Sequence, residues 1–231
     1  MSPNVTRLLA ASFAAATLAC GTSASRVKAL QDQNRLLRAQ VEATDQAARA
    51  GAAYAQQLEG GGDGVTLLFT AEDIDRLAQG VLPYKMPAKQ FNPQLSGEIH
   101  VERITNVRFL PGNRLTCQAH LRGVGIRVNA KVPQMYKAQV DNFLRGVASG
   151  VVTDLDVTLT WHGNALIARA EAKRSQMRQH RDASNEARLT REMNERALRR
   201  GLEFDLTPEG TGQKLQFVGT TATHLVVGYG P

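Results

Sequence analysis

Long runs in which apolar and polar residues alternate are the feature that most constrains the fold of this chain. They fall between Gly97 and Val132 and again between Leu155 and Ala172. Successive side chains of a β-strand point to opposite faces, so these runs predict strands with one buried and one solvated face. Pro111-Gly112-Asn113 and His162-Gly163-Asn164 interrupt them with turn-forming residues, which predicts antiparallel hairpins.

Helical periodicity appears in three segments around these strands. Thr70 is placed to cap a helix over Ala71–Val81, and residues 134–148 carry an apolar stripe that can cover a sheet. Residues 184–200 form a third, basic helical segment. Together with a strand at Val65–Phe69, the pattern predicts an α+β fold: a curved antiparallel sheet packed on one or two helices and preceded by a long N-terminal helix.

That N-terminal helix is predicted from a seven-residue repeat over residues 26–58. The stretch Val27-Leu30-Asn34-Leu37-Val41 places β-branched residues at a, leucine at d and one asparagine in the seam, a pattern that favours a parallel dimer. It resembles a leucine zipper, although Thr44 and Gly51 weaken the later seam. A single amphipathic helix lying on its own domain is the alternative. Gly60-Gly61-Gly62-Asp63-Gly64 then ends any helix and predicts a flexible linker.

The first residues predict an export signal. Arg7 is followed by a run of apolar or small residues, 8–19, that ends at Cys20. As a helix this run reaches only ~18 Å, short of the ~30 Å core of a bilayer, so we expect it to be removed.

The stretch Thr17-Leu18-Ala19-Cys20-Gly21 resembles the lipobox of bacterial lipoproteins, although that family usually has Leu where Thr17 stands. The resemblance implies cleavage before Cys20, two acyl chains on that cysteine and membrane attachment through them. Gly21 in place of Asp implies the outer membrane, facing the periplasm of the cell envelope. A plain secretory signal cut nearby is the alternative. The chain then divides into a signal peptide at 1–19, a lipid-anchored stalk at 20–59, a linker at 60–64 and an α+β domain at 65–231.

Motifs for catalysis or metal binding do not occur in this sequence. Its five histidines stand singly, and it has no HExxH pair, GxSxG elbow or GxxxxGK[ST] loop. Cys117 alternates with Leu115 and Ala119, which favours a core thiol over a nucleophile. We therefore expect no catalytic residue, no metal and no cofactor, and a protein that is not an enzyme.

The net charge of +7 has its local excess in the stretch from Lys173 to Arg200, which contains nine Lys or Arg residues and four Asp or Glu residues. Interleaved acids favour a solvated outer face there over a grip on phosphate or lipid head groups. Export removes nucleic acid as a partner.

From residue 65 onward, the order of helix, long strands, helix and further strands resembles TULIP-like lipid-binding lipoproteins. The resemblance implies a curved sheet that wraps a helix and leaves an apolar tube for a lipid-like ligand. Its lining would include Ile99, Val101, Phe143, Leu144, Leu155, Val157, Leu159 and Trp161.

Two functions follow as expectations. The first is an envelope lipoprotein with a non-catalytic domain that binds a lipid or other hydrophobic ligand. The alternative is a structural or assembly lipoprotein that forms a homodimer through residues 26–58 and binds other envelope proteins.

Overall fold

The computed structural model describes the backbone of residues 3–199, 201–210 and 212–231. Within the first helix, side chains are described at residues 27, 30, 31, 33–35 and from 37 onward. The side chain of Cys20 and the rest of the lipobox lie outside these described residues, so their roles stay predictions. Among the described residues, no helix combines the length and hydropathy needed to cross a bilayer.

Four α-helices and nine β-strands follow one another along the described chain. The helices are α1 (Pro3–Glu59), α2 (Ala71–Val81), α3 (Gln134–Ser149) and α4 (Ala183–Glu192). The strands are β1 (Val65–Phe69), β2 (Tyr84–Pro87), β3 (Leu95–Leu110), β4 (Arg114–Val128), β5 (Val151–His162), β6 (Ala165–Met177), β7 (Leu202–Asp205), β8 (Lys214–Thr220) and β9 (Leu225–Gly230). A short 3₁₀ turn follows β2 at Ala88–Gln90, and a π-helical turn extends α4 over Met193–Ala197.

The strands form two antiparallel sheets. Six strands run in the order β2-β3-β4-β5-β6-β7 and curl into a half-barrel, and three run in the order β1-β9-β8. Each strand of the larger sheet pairs with its sequence neighbour. Short turns at 111–113 and 163–164 join β3 to β4 and β5 to β6, whereas α3 lies between β4 and β5 and α4 between β6 and β7. The predicted α+β class, curved antiparallel sheet and long preceding helix are therefore confirmed.

Local sequence signals located most elements within a few residues. The predicted bounds of β1 and α2 are those observed, and Thr70 and Asp73 form the reciprocal capping box that starts α2. Helical period places Ile74, Leu77 and Ala78 on one side of α2, where the sequence predicts burial. Ile74 and Ala78 are half-buried, but Leu77 is exposed.

An irregular position in β6 keeps its apolar residues on one face. Asp154 pairs with Arg174, whereas Leu155 pairs with Ala172, so Lys173 is an extra residue between two register pairs. This bulge shifts the alternation by one and keeps both Ala172 and Met177 buried.

Side chains from the α4 region cover the edge of β6 beyond its pairing with β7. The Asn194 amide accepts a hydrogen bond from the Ala172 N–H at 2.7 Å and donates one to its carbonyl at 2.9 Å. Glu186 accepts one from the Met177 N–H at 2.9 Å. This edge is thereby closed to pairing with another chain.

The apolar side chains form two clusters on the buried face of the six-stranded sheet. The helix-covered cluster lies with α3 and α4 and comprises Ala88, Phe91, Leu95, Ile99, Ala119, Leu121, Val147, Val151, Ala172, Met177, Leu189 and Met193. The sheet-covered cluster lies with β8 and β9 and comprises Phe109, Cys117, Val157, Leu159, Trp161, Leu166, Leu215, Val218, Leu225, Val227 and Tyr229.

The chain forms two compact units, residues 1–42 and 43–231. The last part of α1 therefore belongs with the sheets, although the sequence places the start of the domain after the glycine run at 60–64. Small residues on the helix make this packing possible. Ala43 is fully buried, and a Cβ at Gly51 would lie 3.1 Å from the Phe217 ring.

Tyr54 is the main side chain that fixes this part of α1. It is 6% exposed and stacks on Phe217 with the ring centroids 6.2 Å apart. Its hydroxyl donates to the Val65 carbonyl and lies within hydrogen-bond distance of Thr66 Oγ1, each at 3.0 Å. Gly228 leaves room for its ring, because a Cβ there would lie 2.8 Å away. Residues 43–59 are thus integrated into the domain.

Candidate ligand-binding site

The eight residues predicted to line a tube divide between the two apolar clusters. Ile99 is a buried member of the helix-covered cluster, and Val101, Phe143 and Leu144 pack against it. Val157, Leu159 and Trp161 are buried in the sheet-covered cluster. Leu155 packs against both. The structure therefore brings all eight to one face of the sheet and places Leu155 where the two clusters meet.

Burial along this apolar face is uneven. On β5, Val151 and Leu159 are buried on either side, whereas Leu155 between them is only half-buried. Ile104 on β3 and Ala170 on β6 are likewise half-buried. We call this region, defined by Ile104, Leu155 and Ala170, the Leu155 junction.

Short side chains face the junction from β6. The register pairs Leu155 with Ala172, Val157 with Ala170 and Leu159 with Ala168. Three alanines in successive core-facing positions contribute little side-chain volume beside the larger residues of β5. An apolar ligand needs such a region, where the protein's own side chains do not fill the space against the sheet.

Two hydroxyl groups lie on the same face, one position along β5 from Leu155. Thr153 and Ser175 are buried register partners whose oxygens are 3.1 Å apart. The Met193 sulfur lies 3.7 Å from each oxygen, so one hydroxyl can donate to the other while the second donates to the sulfur. A small number of polar groups in an apolar setting is typical of sites that orient a mostly hydrophobic molecule.

Cys117 borders the junction as the register partner of Leu155 on β4. Burial raises the pKa of its thiol from 9.0 to about 11. The sulfur is therefore protonated at neutral pH. A protonated thiol is a poor nucleophile, so Cys117 acts here as an apolar contact surface.

The opposite face of the six-stranded sheet is polar and charged. Arg114 Nη2 lies 2.6 Å from Asp156 Oδ2, with the Asp156 side chain only 10% exposed. Gln118 Nε2 donates to Asp154 Oδ1 at 2.8 Å. These pairs join β4 to β5 through even-numbered residues of β5, whose odd-numbered neighbours form the apolar face. Asp156 Oδ1 and Arg114 Nε are buried and have no hydrogen-bond partner among the described residues.

His120 also lies on the polar face, and its surroundings keep it uncharged. Burial, followed by the positive charges of Arg103 and Arg178, lowers its pKa below the ordinary 6.5. Arg178 Nη2 donates to Nδ1 at 3.1 Å, so Nε2 carries the proton and donates to Thr105 Oγ1 at 2.8 Å. This arrangement ties β6 to β3 and β4.

Sequence reasoning did not identify Thr153, Ser175 or Ala170 as parts of the site. The signal for Thr153 was present, because it occupies the same alternating positions as Leu155 and Val157. The signal for Ser175 was hidden by the extra residue Lys173, which breaks simple alternation along β6.

Among the described residues, no group of three or more His, Cys, Asp or Glu side chains is arranged to hold a metal ion. No family model, curated protein or solved structure matches the chain. The function is therefore inferred from the geometry of the apolar face.

Proposed function

We propose that the protein is a membrane-anchored lipoprotein of the cell envelope, attached through acyl chains on Cys20. Its domain binds a lipid or another hydrophobic ligand without catalysis. The ligand contacts the sheet at the Leu155 junction, between the residues of the two clusters that the TULIP-like resemblance assigns to a tube.

The observation that carries this proposal is that Leu155, which packs against both clusters, stays half-buried. A curled sheet with apolar residues along one face has to cover them, and here Leu155, Ala170 and Ile104 are only partly covered. Burying them under an acyl chain would remove apolar surface from water at about 25 cal/mol per Å². A hydrophobic ligand is the simplest occupant of such a place.

The chain contains one tryptophan, which provides a direct test of ligand binding. Trp161 is buried in the sheet-covered cluster, and its ring lies edge-on to Phe217 at 6.3 Å. We expect a brominated fatty acid to quench its fluorescence saturably, and we expect lipid to co-purify with the protein in native mass spectrometry.

A pair of alanine variants on β6 provides the control. Ala170→Leu fills the junction and is expected to weaken quenching at least tenfold. Ala165→Leu adds the same volume on the opposite face of the strand and is expected to leave binding unchanged. Equal binding by both variants, or a wild-type chain that takes up no lipid, contradicts the proposal.

Acylation is tested separately. Metabolic labelling with a clickable fatty acid should mark the wild-type chain and not Cys20→Ser. Equal labelling of the two chains would contradict acylation of Cys20. Ligand binding would still be tested by quenching of Trp161 fluorescence.

A second candidate function, dimerisation through α1, is favoured by a specific observation. The described a and d side chains Val27, Leu30, Leu37 and Val41 are 50–61% exposed in the single chain. Exposed apolar residues at these spacings form the seam of a parallel coiled coil. From Ala43 onward the helix packs on the domain, and the d positions Thr44 and Gly51 are among its contacts, so we propose a dimer seam over residues 27–41 only.

Two leucines at the same repeat position test this seam. Leu37→Asp is expected to convert a dimer to a monomer in sedimentation equilibrium, because it places a charge in the seam. Leu58→Asp, at a d position within the domain unit, is expected to leave the dimer intact. A wild-type monomer, or loss of the dimer with both variants, contradicts the proposed seam.

A further inference from the structure

The first half of α3 projects from the domain with apolar side chains exposed. Residues 134–139 are all exposed, and burial begins only at Val140. Met135 is 79% exposed, the largest fraction among the large apolar side chains described, and Tyr136 is 51% exposed. Water contact at a methionine and a tyrosine side by side is unfavourable, so this part of α3 is suited to an apolar contact outside the domain.

The charges around this segment are mostly basic. Arg127, Lys131 and Lys137 are exposed, and none of them makes an ion pair with another described residue. Residues 123–140 contain no Asp or Glu. The first acid, Asp141, is exposed and lies about 120–140° around the helix from Met135 and Tyr136 and about 40° from Lys137, because each residue turns the helix by about 100°. We call Arg127, Lys131, Met135, Tyr136 and Lys137 the α3 tip.

We propose that the α3 tip docks on the surface of an anionic membrane. Met135 enters the boundary between head groups and acyl chains, Tyr136 lies at the head-group level, and the three basic residues contact lipid phosphates. Tyrosine is enriched at that level because one end of its ring is polar, and basic residues beside apolar ones are typical of peripheral membrane contacts.

A protein partner would explain the exposed Met135 equally well, but not the absence of acids. Protein surfaces offer mixed charges, and interface cores are depleted in lysine. An anionic lipid surface is negative throughout and complements all three basic residues at once. The contact would hold the domain to the bilayer in addition to any anchor at Cys20, and it does not depend on a ligand at the Leu155 junction.

Tyr84 offers a matched control for the test. It has the same exposed fraction as Tyr136, 51%, and it is also followed by a lysine, Lys85. The charge of Lys85 is one of those that lower the pKa of the Glu98 carboxyl group. The acid that follows Lys137 most closely in the sequence is Asp141, four residues later. A tryptophan at position 84 or 136 therefore starts from the same exposed fraction, but the charges around the two positions differ.

The experiment uses the full chain with Cys20→Ser and Trp161→Phe, to which Tyr136→Trp or Tyr84→Trp is added. Vesicles contain phosphatidylglycerol and brominated phosphatidylcholine in equal parts. We expect the indole at position 136 to shift to shorter wavelength and to be quenched, and the indole at position 84 to do neither. Cys20→Ser carries no acyl chain, so the outcome is independent of acylation.

Lys131→Gln with Lys137→Gln should raise the vesicle concentration for half-maximal quenching about 25-fold. Each basic residue near an anionic surface contributes about fivefold in affinity. Equal quenching at the two positions, no quenching at position 136, or equal quenching on purely phosphatidylcholine vesicles overturns the proposal.

If Trp161→Phe fails to fold by circular dichroism, co-sedimentation with the same vesicles replaces quenching and Trp161 is kept. The lysine pair of the α3 tip is then compared with Lys85→Gln and Lys214→Gln, two exposed lysines elsewhere on the domain. An equal loss of vesicle binding in the two double variants overturns the proposal.

Discussion

Tyr54 offers a quantitative test of whether the end of α1 is part of the domain or only a spacer. Tyr54 is only 6% exposed, so Tyr54→Ala removes a buried side chain. It also removes the stack on Phe217, whose ring centroid lies 6.2 Å from that of Tyr54. Truncation of a buried aromatic side chain costs about 3–5 kcal/mol. The lost hydroxyl contacts to Val65 and Thr66 contribute about 1 kcal/mol within that range.

We therefore expect the free energy of unfolding to fall by about 4 kcal/mol. A domain of this size shifts its Tm by about 2–4 °C per kcal/mol, so Tm should fall by about 8–16 °C. Tyr54→Phe keeps the ring and loses the hydroxyl, so it should cost only about 1 kcal/mol.

Urea unfolding followed by Trp161 fluorescence measures these differences, because Trp161 contacts the same Phe217 ring that Tyr54 stacks on. Glu42→Ala is the control, since Glu42 is exposed, precedes the domain unit and lies outside the a and d positions of the proposed seam, and it should change stability by less than about 0.5 kcal/mol, the usual size of surface effects. A loss below about 1 kcal/mol for Tyr54→Ala would refute the integration of residues 43–59.

Three further predictions concern single sites. The Cys117 thiol, with its pKa raised to about 11, should resist alkylation at pH 7.5 until the chain is unfolded, and equal rates with and without urea would contradict its burial. Because the unfolded thiol ionises near 9.0, the contribution of Cys117 to stability is complete below pH 9 and is lost as pH rises toward 11, so the stability of wild type relative to Cys117→Ala should decline over that interval. Thr70→Ala should raise the lowered pKa of Asp73 toward its ordinary value, measured by NMR titration, because the Thr70 hydroxyl donates to that carboxylate at 2.8 Å; an unchanged pKa would mean that the remaining bond from the Thr70 N–H is sufficient. Gly228→Ala should destabilise the domain by about 1–3 kcal/mol, and by less in a Tyr54→Ala background, since the added Cβ meets the Tyr54 ring; full additivity of the two losses would show that they do not touch.

The sequence predicted Leu155 as part of the candidate site, but it did not identify Ile104 or Ala170, the other two residues of the Leu155 junction. Alternation assigned Leu155, Val157, Leu159 and Trp161 to one face of β5, and the structure places them there. Which of them stays accessible depends on what packs above the sheet. Periodicity contains no information about that cover, and it is the cover that leaves Leu155 half-buried.

The same distinction applies to α1. Its repeat correctly predicts a helix, because helical period is a property of neighbouring residues. Of the residues that pack on the domain, Gly51 occupies a predicted seam position, whereas the more deeply buried Ala43 and Tyr54 do not. Their burial is set by Gly228 and Phe217, which lie far away in the sequence, and no local pattern connects them.

The sequence by itself determined the elements of this protein: the strands and their apolar faces, the caps and turns that bound them, and the antiparallel pairing that short turns impose. These depend on interactions within a few residues. The tertiary structure alone decided that residues 43–59 join the domain, that Lys173 shifts the register of β6, and that Leu155 stays half-buried. Each of these depends on side chains that come together from distant parts of the chain. The shape and volume of those side chains, rather than the hydrophobic periodicity of the sequence, determine which groups stay in contact with water.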